Sequence, residues 1–149
     1  MTKLHSILAK QEDEKYAMNE GTNVHVKLRR VFVDGDKVSG DSDYVQRIQA
    51  QDDLLPLFGA GSRTEVPIAG TIDGRFVSRR IDRLVIDDAT QTILVLDYKT
   101  DVSREKFRDA YYAQIREYGA LLRAIYPTYQ IKGFILWVHD FSLENVSMN

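Results

Sequence analysis

The chain has 149 residues, of which 44% are hydrophobic and 28% charged, and its net charge is −2. This size and balance predict one folded domain rather than a disordered segment. No apolar run is long enough to cross a membrane and the first residues do not form a secretory signal, so we expect a soluble, cytoplasmic protein. The absence of cysteine excludes disulfides, thiolate nucleophiles and cysteine-ligated iron–sulfur clusters.

The N-terminal third has the pattern of short helices. Residues 1–20 are mixed and charged, which predicts a peripheral helix or leader. Apolar residues recur every three or four positions over residues 23–33, which predicts a helix that carries His25 beside its apolar stripe. A second helix is expected over residues 41–55, ending at Pro56. A single histidine on such a helix is more often structural than a metal ligand.

The centre of the chain has the pattern of strands. We expect a first strand over residues 64–69, a turn over 70–74, and a second strand from about residue 75 that continues through residues 80–87. The short polar link after residue 87 predicts a hairpin with a further strand over residues 93–99.

The last of these strands ends in charged residues. Alternation at period two places Asp97 and Lys99 on one face, at the tip of a strand that is apolar on both sides and therefore central in a sheet. The predicted hairpin brings Asp82 close to Asp97. Two carboxylates beside an ammonium suit a divalent cation next to a basic group that handles water or phosphate. The same spacing also fits a plain ion pair at a strand end.

The C-terminal third predicts one long helix and two strands. The helix is expected over residues 104–125, where Gln114 and Tyr118 are four apart and share a face. A buried strand over residues 131–138 and an edge strand over 143–147 follow. Tyrosine on such a stripe is usually a core residue, whereas a buried glutamine needs hydrogen-bond partners.

Four short motifs occur in a defined order along the chain. They are Gly21-x-x-x-His25, Ile81-Asp82-Arg83, Asp97-Tyr98-Lys99-Thr100 and Gln114-x-x-x-Tyr118. This ordered set resembles the RecB-like branch of the PD-(D/E)XK nuclease superfamily. Residues 65–70, 122–127 and 136–137 add a closer similarity to the C-terminal nuclease domains of AddA-type helicase–nucleases.

The resemblance implies a fold and a function. The fold would be restriction-endonuclease-like, an α/β fold with a mixed central sheet flanked by helices and an αβββαβ core. Residues 1–149 would be a single nuclease domain, an excerpt of a larger helicase–nuclease that hydrolyses DNA during double-strand-break repair and recombination. Its partners would be single-stranded DNA ends, a helicase domain of the same polypeptide and an AddB-like subunit.

The resemblance also implies roles for individual residues. The catalytic residues would be Asp82, Asp97, Lys99, Gln114 and Tyr118. The ligands of Mg²⁺ or Mn²⁺ would be His25, Asp82, Asp97 and the carbonyl of Tyr98. The candidate DNA contacts are the basic residues Arg79, Arg80, Arg104, Lys106 and Arg108.

Two features favour other functions. Arg79 stands where the family usually has glycine, and it would either narrow the site or add a phosphate contact. The acidic net charge predicts weak unaided binding to DNA, although residues 75–132 carry eleven Lys or Arg against eight Asp or Glu. The alternatives are a catalytically silent DNA-binding or docking module of the same fold, and a PD-(D/E)XK nuclease that acts in restriction or on RNA.

Overall fold

The computed structural model describes residues 20–148, with side chains from residue 23 onward. The leader or helix predicted for residues 1–20 therefore lies outside the described residues apart from Glu20. Among the described residues, no helix has the length and apolar character needed to cross a membrane.

The described chain contains three α-helices, one 3₁₀ turn and seven strands. In chain order they are α1 (Glu20–Arg29), β1 (Phe32–Asp34), β2 (Lys37–Ser39), α2 (Ser42–Gln49), the 3₁₀ turn (Leu55–Leu57), β3 (Arg63–Ile72), β4 (Arg75–Asp87), β5 (Thr92–Lys99), α3 (Arg104–Ile125), β6 (Gln130–Trp137) and β7 (Ser142–Val146).

Five strands form one mixed sheet in the order β3-β4-β5-β6-β7. Strands β5 and β6 are parallel and are joined by α3, whereas the other neighbours are antiparallel. The predicted α/β class, with a mixed sheet flanked by helices, is confirmed.

The sheet separates two apolar cores. On one face α3 packs against the sheet, and Val95, Ile115 and Ile135 are all completely buried there. On the other face α1, β1 and α2 cover the sheet around Leu28 and Leu96. A strand buried on both faces has a continuous apolar run, which explains why β5 is apolar from Ile93 to Leu96.

The predicted first helix was too long. It was expected to reach residue 33, but α1 ends at Arg29, and β1 and β2 form a small separate hairpin. The run Val31-Phe32-Val33 favours a strand because β-branched and aromatic side chains suit extended backbone. Gly35 has φ 60° in the hairpin turn, a conformation that glycine adopts without strain.

The second helix and strand β3 also differ from the prediction. Helix α2 begins after the cap residue Asp41, whose carboxylate accepts the amide proton of Tyr44, and it ends at Gln49 instead of residue 55. Strand β3 is longer than predicted and turns only at Asp73 and Gly74, whereas β4 has the predicted extent. Gly70 lies within β3, where the absence of a side chain lets the strand pack closely against Leu121 of α3.

The C-terminal elements were predicted within one residue. Helix α3 has the predicted bounds, although Ser103 at its N-cap makes no side-chain capping bond. Its buried stripe ends at Leu122, and Ile125 at the end of the helix is 54% exposed. Strand β6 places Trp137 directly beside Lys99 of β5.

We expect Gly133→Ala to destabilise the domain by about 1–3 kcal/mol, as overpacking of a core does. A Cβ at Gly133 in β6 would lie 2.7 Å from Cγ2 of Ile115, a stiff β-branched side chain on α3. The matched control is Gly59→Ala, where nothing lies within 4 Å of the added carbon. Urea unfolding of both variants measures the difference, and equal midpoints would contradict this packing.

Candidate active site

The site lies where strands β4 and β5 separate. Their ladder ends at the pair Arg83 and Leu96. One position further, Oδ2 of Asp82 accepts a hydrogen bond of 2.9 Å from the backbone amide of Tyr98. A side-chain carboxylate therefore replaces the next strand-to-strand contact. It satisfies a donor that would otherwise lose its partner, and it holds the strand ends apart.

The backbone of the two neighbouring strands is irregular at the same level. Ile81 and Leu84 both face the α3 core, whereas regular alternation would put residues three apart on opposite faces. On β3, Glu65 has φ 54°, a left-handed conformation that is unusual for a residue with a side chain. The sheet is thus distorted around Asp82.

Asp97 and Lys99 share the face of β5 that points to α3, as predicted. Each is only 3% exposed, and Nζ of Lys99 lies 2.7 Å from Oδ2 of Asp97. The ammonium also donates a hydrogen bond of 2.9 Å to Oε1 of Gln114 and lies 4.1 Å from the centre of the Tyr111 ring. These contacts exclude a plain surface ion pair, because both charged groups are buried.

His25 approaches the Asp82 carboxylate from α1, which lies on the opposite face of the sheet from α3. Its Nε2 lies 3.5 Å from Oδ2 of Asp82, and its ring packs edge-on against Tyr98. The fold therefore brings His25, Asp82, Asp97, Lys99 and Gln114 into one continuous chain of contacts.

Burial makes the charged form of Asp97 energetically unfavourable. Burial raises the pKa of this carboxyl to about 7; the ammonium of Lys99 opposes the shift, and the neighbouring Asp82 carboxyl adds to it. Oδ2 of Asp97 is buried and receives no well-aligned hydrogen bond, although the ammonium is close to it. Two adjacent carboxylates in this setting are stabilised by further positive charge.

The donor set fits a hard divalent cation in its chemistry. The Asp82 carboxylate lies 3.5 Å from the His25 imidazole and next to the Asp97 carboxylate, whose buried Oδ2 is ion-paired with the Lys99 ammonium. Within residues 20–148, however, no three His, Cys, Asp or Glu side chains are arranged as a ready-made metal cage. A bound cation would have to compete with the Lys99 ammonium for Asp97.

Arg83 is the residue that ties α1 to this site. Its side chain is completely buried, and its guanidinium lies 4.2 Å from the centre of the Phe58 ring. It donates hydrogen bonds to the Tyr98 hydroxyl, to the Ser62 hydroxyl and to backbone carbonyls at the end of α1. These carbonyls carry the partial negative charge of a helix C-terminus, so they partly replace a carboxylate partner.

The Tyr98 hydroxyl is buried beside the Arg83 guanidinium. Burial raises the pKa of the Tyr98 hydroxyl well above its ordinary value, and Arg83 opposes that shift. The tyrosine is therefore neutral, and its hydroxyl serves as an acceptor for Arg83.

The predicted DNA contacts fall into two groups. Four of them form ion pairs within the domain: Arg79 with Glu117, Arg80 with Glu65, Arg104 with Asp140, and Arg108 with Glu144. Arg80 and Lys106 are exposed to solvent, whereas the other three are partly buried. Arg80 lies 3.7 Å from Glu65, with 69% of its side chain exposed.

Two helix residues have different relations to the site. Gln114 contacts Lys99 directly, whereas Tyr118 lies one turn further along α3 and is buried in the core. The contribution of Tyr118 to catalysis stays a prediction.

Sequence reasoning missed three residues around the site. Tyr111 was read as a core aromatic, although its ring covers the Lys99 ammonium. Glu117 had no assigned role, and it holds Arg79 at 2.7 Å. Arg83 had no assigned role either, because its strand carries four arginines and the local pattern does not distinguish the buried one.

No model of a known protein family and no curated protein sequence matches this chain. The assignment of a function therefore depends on the geometry of the site and on the motif resemblance.

We expect Tyr98→Phe to destabilise the domain by about 1–3 kcal/mol, because it leaves a buried Nε of Arg83 without its acceptor. The matched control is Tyr129→Phe, which removes a hydroxyl that bonds an exposed carboxylate at the surface, and its effect should be much smaller. Urea unfolding compares the two variants. Equal losses would show that Arg83 does not depend on the Tyr98 hydroxyl.

Proposed function

We propose that the chain is a metal-dependent nuclease domain that hydrolyses phosphodiester bonds in DNA. The observation that carries the proposal is the meeting of His25, Asp82, Asp97 and Lys99 at the fork between β4 and β5. These residues come from three separate segments and match, in order, the motifs of the RecB-like nucleases. The finer fold assignment, a PD-(D/E)XK core, belongs to the same proposal.

A divalent cation, Mg²⁺ or Mn²⁺, would be held by His25, Asp82, Asp97 and the Tyr98 carbonyl. When bound, it supplies polarisation of the scissile phosphate and a lowered pKa of water. The hydrogen bond from the Tyr98 amide to Asp82 fixes the peptide group between Asp97 and Tyr98, which precedes this carbonyl in the chain.

Lys99 would act directly on the reacting groups. In hydrolysis, a water oxygen bonds to phosphorus, the bond from phosphorus to one sugar oxygen breaks, and the leaving oxygen gains a proton. Asp97, Gln114 and the ring of Tyr111 hold Nζ of Lys99 in one position. There it would orient the water and stabilise the negative charge that builds up on the phosphate oxygens.

In this proposal the domain works as one part of a larger helicase–nuclease. A helicase domain of the same polypeptide would deliver single-stranded ends, acting with an AddB-like partner subunit. Tethering to a motor raises the local concentration of substrate, which compensates for a domain whose net charge is −2.

A second candidate is a DNA-binding module of the same fold that no longer cuts. The observation that favours it is the contact of the Lys99 ammonium with Asp97, which places a positive charge where a cation would be needed. The two candidates differ in DNA cleavage but not in DNA binding, so the tests below measure both cleavage and binding.

We expect Mn²⁺ to bind the wild-type domain, and Asp97→Asn to lose this binding because one of two carboxylate ligands is gone. Isothermal titration calorimetry with MnCl₂ measures it. The matched control is Asp109→Asn, an exposed carboxylate on α3, which should bind like the wild type. Equal binding by Asp97→Asn and the wild type would remove the metal assignment.

We expect Lys99→Ala to keep Mn²⁺ binding but to slow cleavage of a labelled single-stranded oligonucleotide by about 100-fold or more, the usual loss when a charge stabiliser is removed. Lys132→Ala, an exposed lysine on β6, is the control and should cut at the wild-type rate. Normal cleavage by Lys99→Ala would contradict its role. DNA binding without any cleavage by the wild type would favour the silent module, and cleavage limited to one duplex sequence would favour a restriction-type enzyme.

A further inference from the structure

Beyond the fork, strands β3 and β4 continue as a two-stranded ribbon. The β4–β5 ladder stops at Arg83, whereas β3 and β4 stay paired from there out to Ile72 and Arg75. One face of the ribbon is anchored on α3 by the buried side chains of Ile68 and Val77 and by the ion pair from Arg79 to Glu117. The ribbon is therefore a fixed extension of the sheet.

The opposite face of this ribbon is open to solvent. It consists of three cross-strand pairs, Pro67 with Arg80, Ala69 with Ser78, and Thr71 with Phe76. All six residues are exposed, and no element in residues 20–148 covers them. We call these six residues the open ribbon face.

The open ribbon face combines an aromatic ring with a positive charge. Phe76 is 71% exposed and stands beside small side chains that leave its ring accessible. Arg80 is 69% exposed on the same face, nearer to the fork. Its ion pair with Glu65 is long, at 3.7 Å, and the Arg80 side chain stays mostly in solvent, so Glu65 competes only weakly with another anion.

The face leads directly to the proposed catalytic residues. Phe76 and Asp82 are six residues apart on one strand, which is about 20 Å at the rise of an extended chain. Arg80 lies between them, one cross-strand row before Asp82. A ligand lying along the ribbon would therefore pass an aromatic ring, then a cation, and then reach the fork.

We propose that the open ribbon face binds single-stranded nucleic acid, with a base stacked on Phe76 and a phosphate paired with Arg80, and guides the strand to the fork. The inference rests on the proposed nuclease function for the identity of the substrate. Aromatic side chains on an exposed sheet face stack with unpaired bases, and basic side chains beside them track the backbone.

The chemistry favours nucleic acid over a protein partner. A stable protein interface buries about 1,200–2,000 Å² around an apolar centre, whereas this face is narrow and has one large apolar side chain. A base needs only one ring face, and a phosphate needs only one cation. The open ribbon face offers one ring and one cation, Phe76 and Arg80, on the same strand that carries Asp82.

The first test is binding of a fluorescein-labelled oligo(dT) in EDTA, followed by anisotropy, so that cleavage plays no part. We expect Phe76→Ala to weaken binding about 5- to 150-fold, the range for losing one stacked base, and Phe76→Trp to retain it. The matched control is Val102→Ala, whose side chain is equally exposed at 70% but belongs to the loop between β5 and α3. Circular dichroism confirms that each variant is folded.

The second test addresses Arg80. Arg80→Ala should lower the slope of log affinity against log salt by about one phosphate contact, and Arg80→Lys should restore it. Arg47→Ala removes an arginine that is also exposed and ion-paired, with Asp43 on α2, and should leave the slope unchanged.

The outcomes separate this inference from the proposed function. Binding that depends on Phe76 and Arg80 without any Mg²⁺-dependent cleavage would support the ribbon and overturn the nuclease. Unchanged oligonucleotide binding by Phe76→Ala would overturn the ribbon and leave the nuclease to be judged by Lys99→Ala. Absence of binding by the wild type at millimolar protein would also overturn the ribbon, and the face would then be assigned to protein docking.

Discussion

The buried guanidinium of Arg83 is the interaction on which the arrangement of the site depends. Removing such a charge from water costs several kcal/mol unless every donor is satisfied. Its acceptors come from the end of α1, from Ser62 before β3 and from Tyr98 of β5. These segments must therefore assemble together. As a consequence α1 has one position on the sheet, and His25, which lies one turn before Leu28, is held against Asp82.

The fork couples the fold to the chemistry through one side chain. Asp82 ends the β4–β5 ladder by accepting the Tyr98 amide, and the same carboxylate contacts His25 and Asp97. A strand pair that separates leaves backbone donors to be satisfied, and a carboxylate can do so while keeping a second oxygen for another ligand. The site is therefore placed where the sheet has to open, and burial there raises the pKa of Asp97.

Local patterns in the sequence were enough to predict the elements nearest the chemistry. Period-two alternation placed Asp97 and Lys99 on one face of β5, and four-residue spacing placed Gln114 and Tyr118 on one face of α3. The hydrogen bond from Lys99 to Gln114 is seen only in the structure. The predicted end of α1 was wrong because Val31 and its neighbours fit a helical stripe as well as a strand. Only the pairing of β1 with β2 decides between a helix and a strand here. The burial of Arg83 could not be predicted from spacing, because its acceptors lie 52 to 55 residues earlier, 21 residues earlier and 15 residues later in the chain.

The charge distribution explains why an aromatic residue matters on the ribbon. The proposed reaction needs acidic residues at the fork, and the whole chain has a net charge of −2, so long-range attraction of DNA is weak. Four of the five basic residues predicted as DNA contacts form ion pairs within the domain, and of these only Arg80 is mostly exposed. Stacking does not depend on net charge and is sequence-tolerant, because every base has a ring face. In the proposed function, a domain that keeps carboxylates at its centre would therefore hold a strand with Phe76 and one arginine.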